Sequence, residues 1–310
     1  MRGAIEWGWQ VTALTRRVDP EPLRGLPVAI RRVDSELQSL AQLAAGHDVL
    51  VDAAAPYPFT PGNPATSRWQ ADVDSSVRRM EIVIDAARRN RVRLVHISSC
   101  TTLPRSEPPF GAAGAVWRRS ISPYFEAKAA MEHAVVAAAR AGLPAVVVNP
   151  AAFFGPWEFR AADACFVGLV LTGRLPFVLN QVSCLIDVRD VAEAIRLALQ
   201  QEMYGCPIPL SGHNIAIADL AVETAKLAGL PTARPIPLDG GMVCALAWWT
   251  QVGFMAVGME PPPGLRVIPL IADVLPMQRS PEQLRLGLQV RPLQETLRDA
   301  IAFHQRLRFN

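Results

Sequence analysis

Four short runs of apolar, largely β-branched residues constrain the fold of this chain more than any other feature. They are Gln10–Thr15 (QVTALT), Asp48–Ala53 (DVLVDA), Arg93–Ser98 (RLVHIS) and Ala145–Asn149 (AVVVN). Their apolar residues run together without a polar alternation, so each reads as a strand covered on both faces, as in a parallel sheet. Helical stretches lie between them. Over Asp72–Asn90, apolar Val73, Val77, Met80, Val83, Ile84 and Ala87 recur near a helical period. Tyr124–Ala141 is alanine-rich and stops at Gly142, a residue suited to a helix C-terminus. Such alternation predicts an α/β chain, a doubly wound parallel sheet with right-handed crossovers.

The rhythm changes after about residue 155, where prolines and glycines become frequent. Cys184–Val188 (CLIDV) reads as one more core strand, and Val188–Gln200 as a helix returning to the sheet. Residues 205–310 read as a smaller, mainly helical part, with Pro261-Pro262-Pro263 as a stiff link. The predicted organisation is a core over residues 1–160, rejoined by 184–200. A substrate-binding part is formed by 161–183 and 201–310.

Charge excludes several classes of function. Among 310 residues the net charge is +3, with Lys and Arg spread along the chain. No run of like charge marks a nucleic-acid groove or a polybasic membrane patch. The five cysteines, Cys100, Cys165, Cys184, Cys206 and Cys244, are irregularly spaced and odd in number. A disulfide framework is not expected, and the histidines show no metal-ligand spacing. Reduced thiols, with no signal-peptide pattern in Met1–Gln10, point to a cytoplasmic protein. Gly240–Met259 carries no charge and has the length of a membrane span. Its four glycines, Thr250, Gln251 and the lack of basic flanks instead predict a buried or pocket-lining helix.

The chemistry lies in Tyr124-Phe125-Glu126-Ala127-Lys128. Positions i and i+4 share a helical face. An ammonium one turn from a phenol favours the phenolate and lowers its pKa from about 10. The pair can therefore exchange a proton with a carbonyl or alcohol oxygen. Ser98-Ser99 ends the strand RLVHIS, at the edge where open α/β sheets place ligands. AVVVN ends at Asn149-Pro150, and Gly155-Pro156 then turns the chain. A strand ending in Ser, a helix carrying Tyr and Lys, and a strand ending in Asn-Pro, in that order, form a specific constellation.

With these motifs the chain resembles the extended short-chain dehydrogenase/reductase superfamily, in its NAD-dependent epimerase/dehydratase group. It is similar to the dihydroflavonol-reductase-like and hopanoid-associated sugar epimerase-like members. The resemblance rests on GWQVTALTRR (Gly8–Arg17), DVLVDAAAP (Asp48–Pro56), RLVHISSC (Arg93–Cys100), SPYFEAK (Ser122–Lys128), VVVNPAAFFGP (Val146–Pro156) and CLIDVRDVAEAI (Cys184–Ile195). Arg279–Phe303 (RSPEQLRLGLQVRPLQETLRDAIAF) extends it to the C-terminal part.

The resemblance implies a Rossmann-like core and specific roles. Tyr124 is the expected acid/base, and Lys128 holds the nicotinamide ribose and depresses the tyrosine pKa. Ser99 polarises the substrate carbonyl, with Ser98 or Thr101 as substitutes. Ala53-Ala54 let the backbone approach the cofactor, and Asn149-Pro150 lie beside the nicotinamide ring. Arg16 and Arg17 follow the second family strand, where an acid binds NAD ribose hydroxyls, and arginine instead accommodates a 2′-phosphate. NADP is therefore favoured, with NAD as the alternative. Substrate-facing candidates are Tyr57, Thr101, Phe153, Phe154, Trp157 and the region near Trp248. A homodimer through two helices is also implied.

The chain departs from this pattern at three places. The family opens with a strand and a Gly-x-x-Gly-x-x-Gly turn that cradles pyrophosphate, whereas here Gly8-Trp9-Gln10-Val11 matches the segment before the second strand. Met1 then falls inside the first helix. The sheet is expected to lack its first strand and expose the neighbouring edges, and the main pyrophosphate amides are expected to be missing. Either a start codon is misassigned or the chain is a truncated relative. Arg32-Val33 replaces a Gly-Asp near the adenine, and Ser76 and Arg79 replace an Asn and a Gly on the central helix. Three functions remain open: a reductase of a lipophilic substrate, a nucleotide-sugar epimerase or dehydratase, and a non-catalytic binding protein that keeps the fold.

Overall fold

The computed structural model describes residues 1–34, 37–54, 67–104, 123–160, 165–232, 234–257, 259, 272 and 274–309. Helices are α1 (Arg2–Glu6), α2 (Leu40–Ala44), α3 (Ser67–Asn90), α4 (Tyr124–Arg140) and α5 (Phe166–Leu171) in the first half. They continue as α6 (Val188–Gln200), α7 (Ile217–Leu227), α8 (Gly240–Ala256), α9 (Pro281–Leu286) and α10 (Leu293–Phe309). Strands are β1 (Thr12–Thr15), β2 (Ala29–Arg32), β3 (Val49–Asp52), β4 (Arg93–Ile97), β5 (Ala145–Pro150) and β6 (Ala152–Phe154). Five more follow: β7 (Phe177–Leu179), β8 (Val182–Asp187), β9 (Pro207–Leu210), β10 (His213–Ala216) and β11 (Ile236–Leu238).

The central sheet has the order β3-β4-β5-β9, with every neighbouring pair parallel. The runs of β4 and β5 are buried on both faces, as their lack of alternation requires, whereas β3 at the edge of the sheet leaves Val51 47% exposed. Leu94 and Val147 pack with Met80, Val83, Ala87, Met131 and Val135 of α3 and α4. Val95, Val146 and Val148 pack on the opposite face with Ile195 and Ala198 of α6 and with Ile208. Met131 is fully buried here, so truncating it to alanine costs about 2–5 kcal/mol. Helix α4 ends as its sequence requires, with Gly142 at φ 96° where a side chain would be strained.

The parallel pair β1–β2 forms a sheet of its own, separate from β3. The sheet is thus interrupted where the sequence pattern lacks a strand. His47 Nε2, 3.0 Å from Thr12 Oγ1, ties the two parts, and Leu14 of β1 packs against the central core.

Two expectations need correcting. Cys184–Val188 does form a strand, and Cys184 and Ile186 share the central core. Its hydrogen bonds, however, go to antiparallel β10 and parallel β6 in a separate three-stranded sheet. The fourth strand of the central sheet is β9, whose Pro207 and Pro209 hide it from a strand pattern. Proline is tolerated there because β9 is an edge. Helix α8, expected to be buried or pocket-lining, is not buried: it turns Ala247 inward but leaves Met242, Leu246 and Trp249 more than half exposed. Among the described residues no helix is long and apolar enough to cross a membrane.

The C-terminal elements are held by carboxylates of the CLIDVRDVAEAI motif. Asp187 caps α6 by accepting from the Arg189 amide at 2.7 Å, and accepts from Thr296 Oγ1 of α10 at 2.7 Å. The fully buried Asp190 accepts from the Arg291 amide at 2.8 Å and pairs with its guanidinium.

Candidate active site

Helix α4 carries Tyr124, Lys128 and Glu132 at four-residue spacing, hence along one face. The carboxyl ends of β4 and β5 meet that face. Lys128 Nζ donates to the Ile97 carbonyl at 2.7 Å, just before Ser98-Ser99. The lysine is 6% exposed. Burial pushes its ammonium down to about 8; the charges of Asp52 and Glu132 oppose that fall and Arg79 adds to it. Tyr124 opens the helix, half-buried, with its ring edge-on to Phe125 at 5.6 Å.

Ser99 has extended backbone and caps the short turn Cys100–Thr102. Its Oγ accepts from the Thr101 amide at 3.2 Å and from Thr101 Oγ1 at 2.9 Å. Since Ser99 accepts in both bonds, its own hydroxyl proton remains to be donated. The buried Thr101 thus orients Ser99.

Glu132 was not singled out by the sequence reading. Its Oε2 accepts from Ser98 Oγ, from Thr102 Oγ1 at 2.6 Å and from Asn149 Nδ2 at 2.7 Å. Asn149 Nδ2 also reaches Thr102 Oγ1 at 2.8 Å and the Ser99 carbonyl at 3.2 Å. One buried carboxylate therefore gathers the ends of β4 and β5 onto α4. The signal for it is the continuation of the Tyr124, Lys128 stripe by one more turn in an alanine-rich helix.

A second polar group sits at the end of β3. Asp52 receives His96 Nδ1 at 2.9 Å and pairs with Arg79 of α3. Burial disfavours the Asp52 charge, but hydrogen bonds from His96 and Arg79 outweigh it and hold the carboxyl below its usual range. Arg79 Nη1 and His96 Nε2 are buried without a hydrogen-bond partner. Arg79, where the resemblance expects glycine, thus brings a cation to the edge next to Ala53-Ala54.

The sequence pattern of the NAD dependent epimerase/dehydratase family matches residues 2–206. The chain belongs to that family. This epimerase/dehydratase family member is 26% identical to a putative dihydroflavonol 4-reductase of Synechocystis, over 98% of this chain and 90% of the relative. It is 29% identical to sterol demethylase protein B of Methylococcus capsulatus, over 76% of this chain and 72% of the relative. In fold it is similar to the crystal structure of gox2253, with a TM-score of 0.76, 23% identity, and 99% and 93% of the two chains covered.

The residues present fit a dinucleotide of this family's kind in several respects. Ala53 and Ala54 are exposed small residues at the carboxyl end of β3. Arg79 Nη1 is a spare buried donor beside them. Arg16 and Arg17 are exposed after β1, and the exposed Arg32 of β2 pairs in register with Thr15 at the same edge. Asn149 and Pro150 end β5 fully within the protein, with the Asn149 side-chain amide directed at Glu132.

The substrate candidates separate. Phe153 is 56% exposed. Phe154 packs edge-on against Phe166 at 5.8 Å and belongs to the core. Trp157, at φ 69°, lies beneath the Arg2 guanidinium, 4.8 Å from the ring centroid. Tyr57 and the Trp248 side chain lie outside the described residues.

Proposed function

We propose that this protein is an NADP-dependent oxidoreductase that moves hydride to or from a carbonyl or alcohol carbon, with Tyr124 as acid/base. The observation that carries this reading is the buried Lys128 ammonium, fixed at the end of β4 one helical turn from Tyr124. A cation held there favours the phenolate and brings the phenol into range for proton exchange. Tyr124 gives a proton to the substrate oxygen in reduction and takes it back in oxidation. Ser99, oriented by Thr101, donates to the same oxygen and polarises it.

When bound, NADP supplies or accepts the hydride. Lys128 and Tyr124 would hold its nicotinamide ribose, with Asn149-Pro150 beside the nicotinamide. Ala53-Ala54 would let the end of β3 approach it, and Arg16 and Arg17 would take its 2′-phosphate. The arginines at the ends of β1 and β2 support NADP over NAD, since paired guanidiniums bind a phosphate dianion well. The exposed Phe153 and the half-buried Trp157 border the substrate. A lipophilic substrate is favoured by the apolar C-terminal part and by two relatives named for a flavonoid and a sterol activity. The family name supports a second reading, a nucleotide-sugar epimerase with the same three residues and transient oxidation. The protein acts in the cytoplasm, as a homodimer paired through two helices.

Quenching of tryptophan fluorescence on titration with NADPH tests the reading, followed by loss of nicotinamide absorbance with lipophilic ketones and, with oxidised cofactor, by chromatographic separation of interconverted uridine diphosphate sugars, because an epimerase returns its hydride and leaves the absorbance unchanged. Saturable quenching and turnover of a ketone are expected. Turnover of the sugars alone selects the epimerase. No binding of NADPH or NADH leaves a cofactor-free binding protein and overturns the proposal.

A further inference from the structure

Away from the Tyr124 helix, three potential metal ligands converge from distant parts of the chain. Glu158 follows the Gly155-Pro156 turn, Cys165 caps α5, and His304 lies on α10. Cys165 and His304 are 3% and 4% exposed. One ligand atom of each residue lies within 4.8 Å of the others. Cys165 Sγ is 3.5 Å from His304 Nε2, and Glu158 Oε2 is 4.0 Å from the same nitrogen.

The shared nitrogen decides between two readings of a Cys–His–Glu set. A nucleophile relay places the thiol and the carboxylate on opposite nitrogens of the imidazole, so that one takes a proton while the other orients the ring. Here both face Nε2. Groups converging on one point describe a coordination sphere instead.

The spacing agrees. With Zn–S about 2.3 Å and Zn–N about 2.0 Å, tetrahedral ligands place sulfur and nitrogen about 3.5 Å apart. That is the separation of Cys165 and His304. Against His304 the carboxylate has only to close from 4.0 Å to the tetrahedral nitrogen–oxygen separation of about 3.4 Å, and against Cys165 it closes from within 4.8 Å to about 3.6 Å. Glu158 is positioned for this, because Arg160 engages its other oxygen, Oε1. The rings of Phe159 and Phe303 pack edge-on at 5.1 Å beside the cluster, with Phe303 6.0 Å from His304.

We propose that Glu158, Cys165 and His304 bind a divalent cation of the zinc class. Thiolate with imidazole selects zinc or cobalt over magnesium or calcium. Three protein ligands leave a fourth position to water or an exogenous ligand. The cation ties α10 and α5 to the segment that follows Phe153 and Phe154, and so braces one border of the proposed substrate site. Hydride transfer does not involve it, and the proposal stands whichever cofactor the Tyr124 site takes.

Cobalt(II) titration of the metal-free full chain tests it. One equivalent is expected to produce a thiolate-to-cobalt charge-transfer band with tetrahedral d–d absorption, bleached by zinc. Cys165→Ser, which preserves size, is expected to abolish the band while the melting temperature without metal is kept. Glu158→Gln is expected to weaken cobalt binding at least tenfold, and it reads out the site even if the buried His304→Gln fails to fold. Zinc is expected to raise the melting temperature of the wild type but not of Cys165→Ser. A wild-type protein with no band saturating at one equivalent overturns the proposal. So does a band unchanged in Cys165→Ser, which places cobalt on another cysteine.

Discussion

Lys128 Nζ donates to the carbonyl of Ile97 at 2.7 Å, and so joins the N-terminal part of α4 to the carboxyl end of β4. The bond anchors a buried cation where the sheet presents Ser98 and Ser99. Lys128 thereby has two functions: it holds helix to strand, and it sets the local potential for Tyr124.

The first prediction concerns pH. Lys128 loses its proton near 8 when folded, against an ordinary value of 10.5. Between those values the unfolded chain binds the proton and the folded chain does not, so stability rises with pH across that window. Below about 8 both states are protonated and the burial penalty is fully present. Lys128→Met is therefore expected to be more stable than wild type at pH 7, by on the order of 3 kcal/mol at most. The difference should shrink as pH passes from 8 toward 10.5, which urea denaturation at each pH reads directly. In catalysis the sign reverses. Loss of the lysine charge raises the Tyr124 pKa and makes it a weaker proton donor, so ketone reduction is expected to fall above about pH 8, as a pH profile of kcat/KM would show.

Glu132 is predicted to govern the integrity of the site. Glu132→Ala strands the Ser98, Thr102 and Asn149 donors, all bonded to one carboxylate oxygen. A loss of about 3 kcal/mol is expected, since each unsatisfied buried donor costs about 1–3 kcal/mol. Glu132→Gln retains an acceptor and is expected to lose roughly half as much. Equal stability of the alanine variant and wild type in denaturant melts would refute the bracing role.

Cofactor choice is predicted to reside in Arg16 and Arg17. Replacing both by alanine is expected to weaken NADPH binding about 10–100-fold, from the loss of charge-assisted bonds worth about 1.5–3 kcal/mol. NADH binding should change little. Calorimetric titration with each nucleotide separates the two, and an equal loss for both would show that the arginines do not read the 2′-phosphate.

The buried parallel strands β4 and β5 were legible because lack of alternation reports burial on both faces; β3 was legible as a strand by the same pattern, but as an edge it leaves Val51 exposed. Strand β9 was not, because Pro207 and Pro209 suppress a strand signal that an edge position permits. The place of β8 was missed because an apolar run does not say which sheet its hydrogen bonds enter. Tyr124 and Lys128 were legible from helical spacing. Arg79 read only as a departure, because its partner Asp52 lies 27 residues away. The Glu158, Cys165 and His304 set was beyond any spacing rule, since Cys165 and His304 are 139 residues apart.

The account depends most directly on Tyr124 as the proton donor and acceptor. The deciding measurement is the single-turnover rate of hydride transfer by Tyr124→Phe against wild type, with the NADPH dissociation constant and melting temperature measured in parallel. A rate lower by on the order of 10²–10⁴ is predicted, with cofactor binding and stability unchanged. A Tyr124→Phe enzyme that transfers hydride at the wild-type rate would contradict the account.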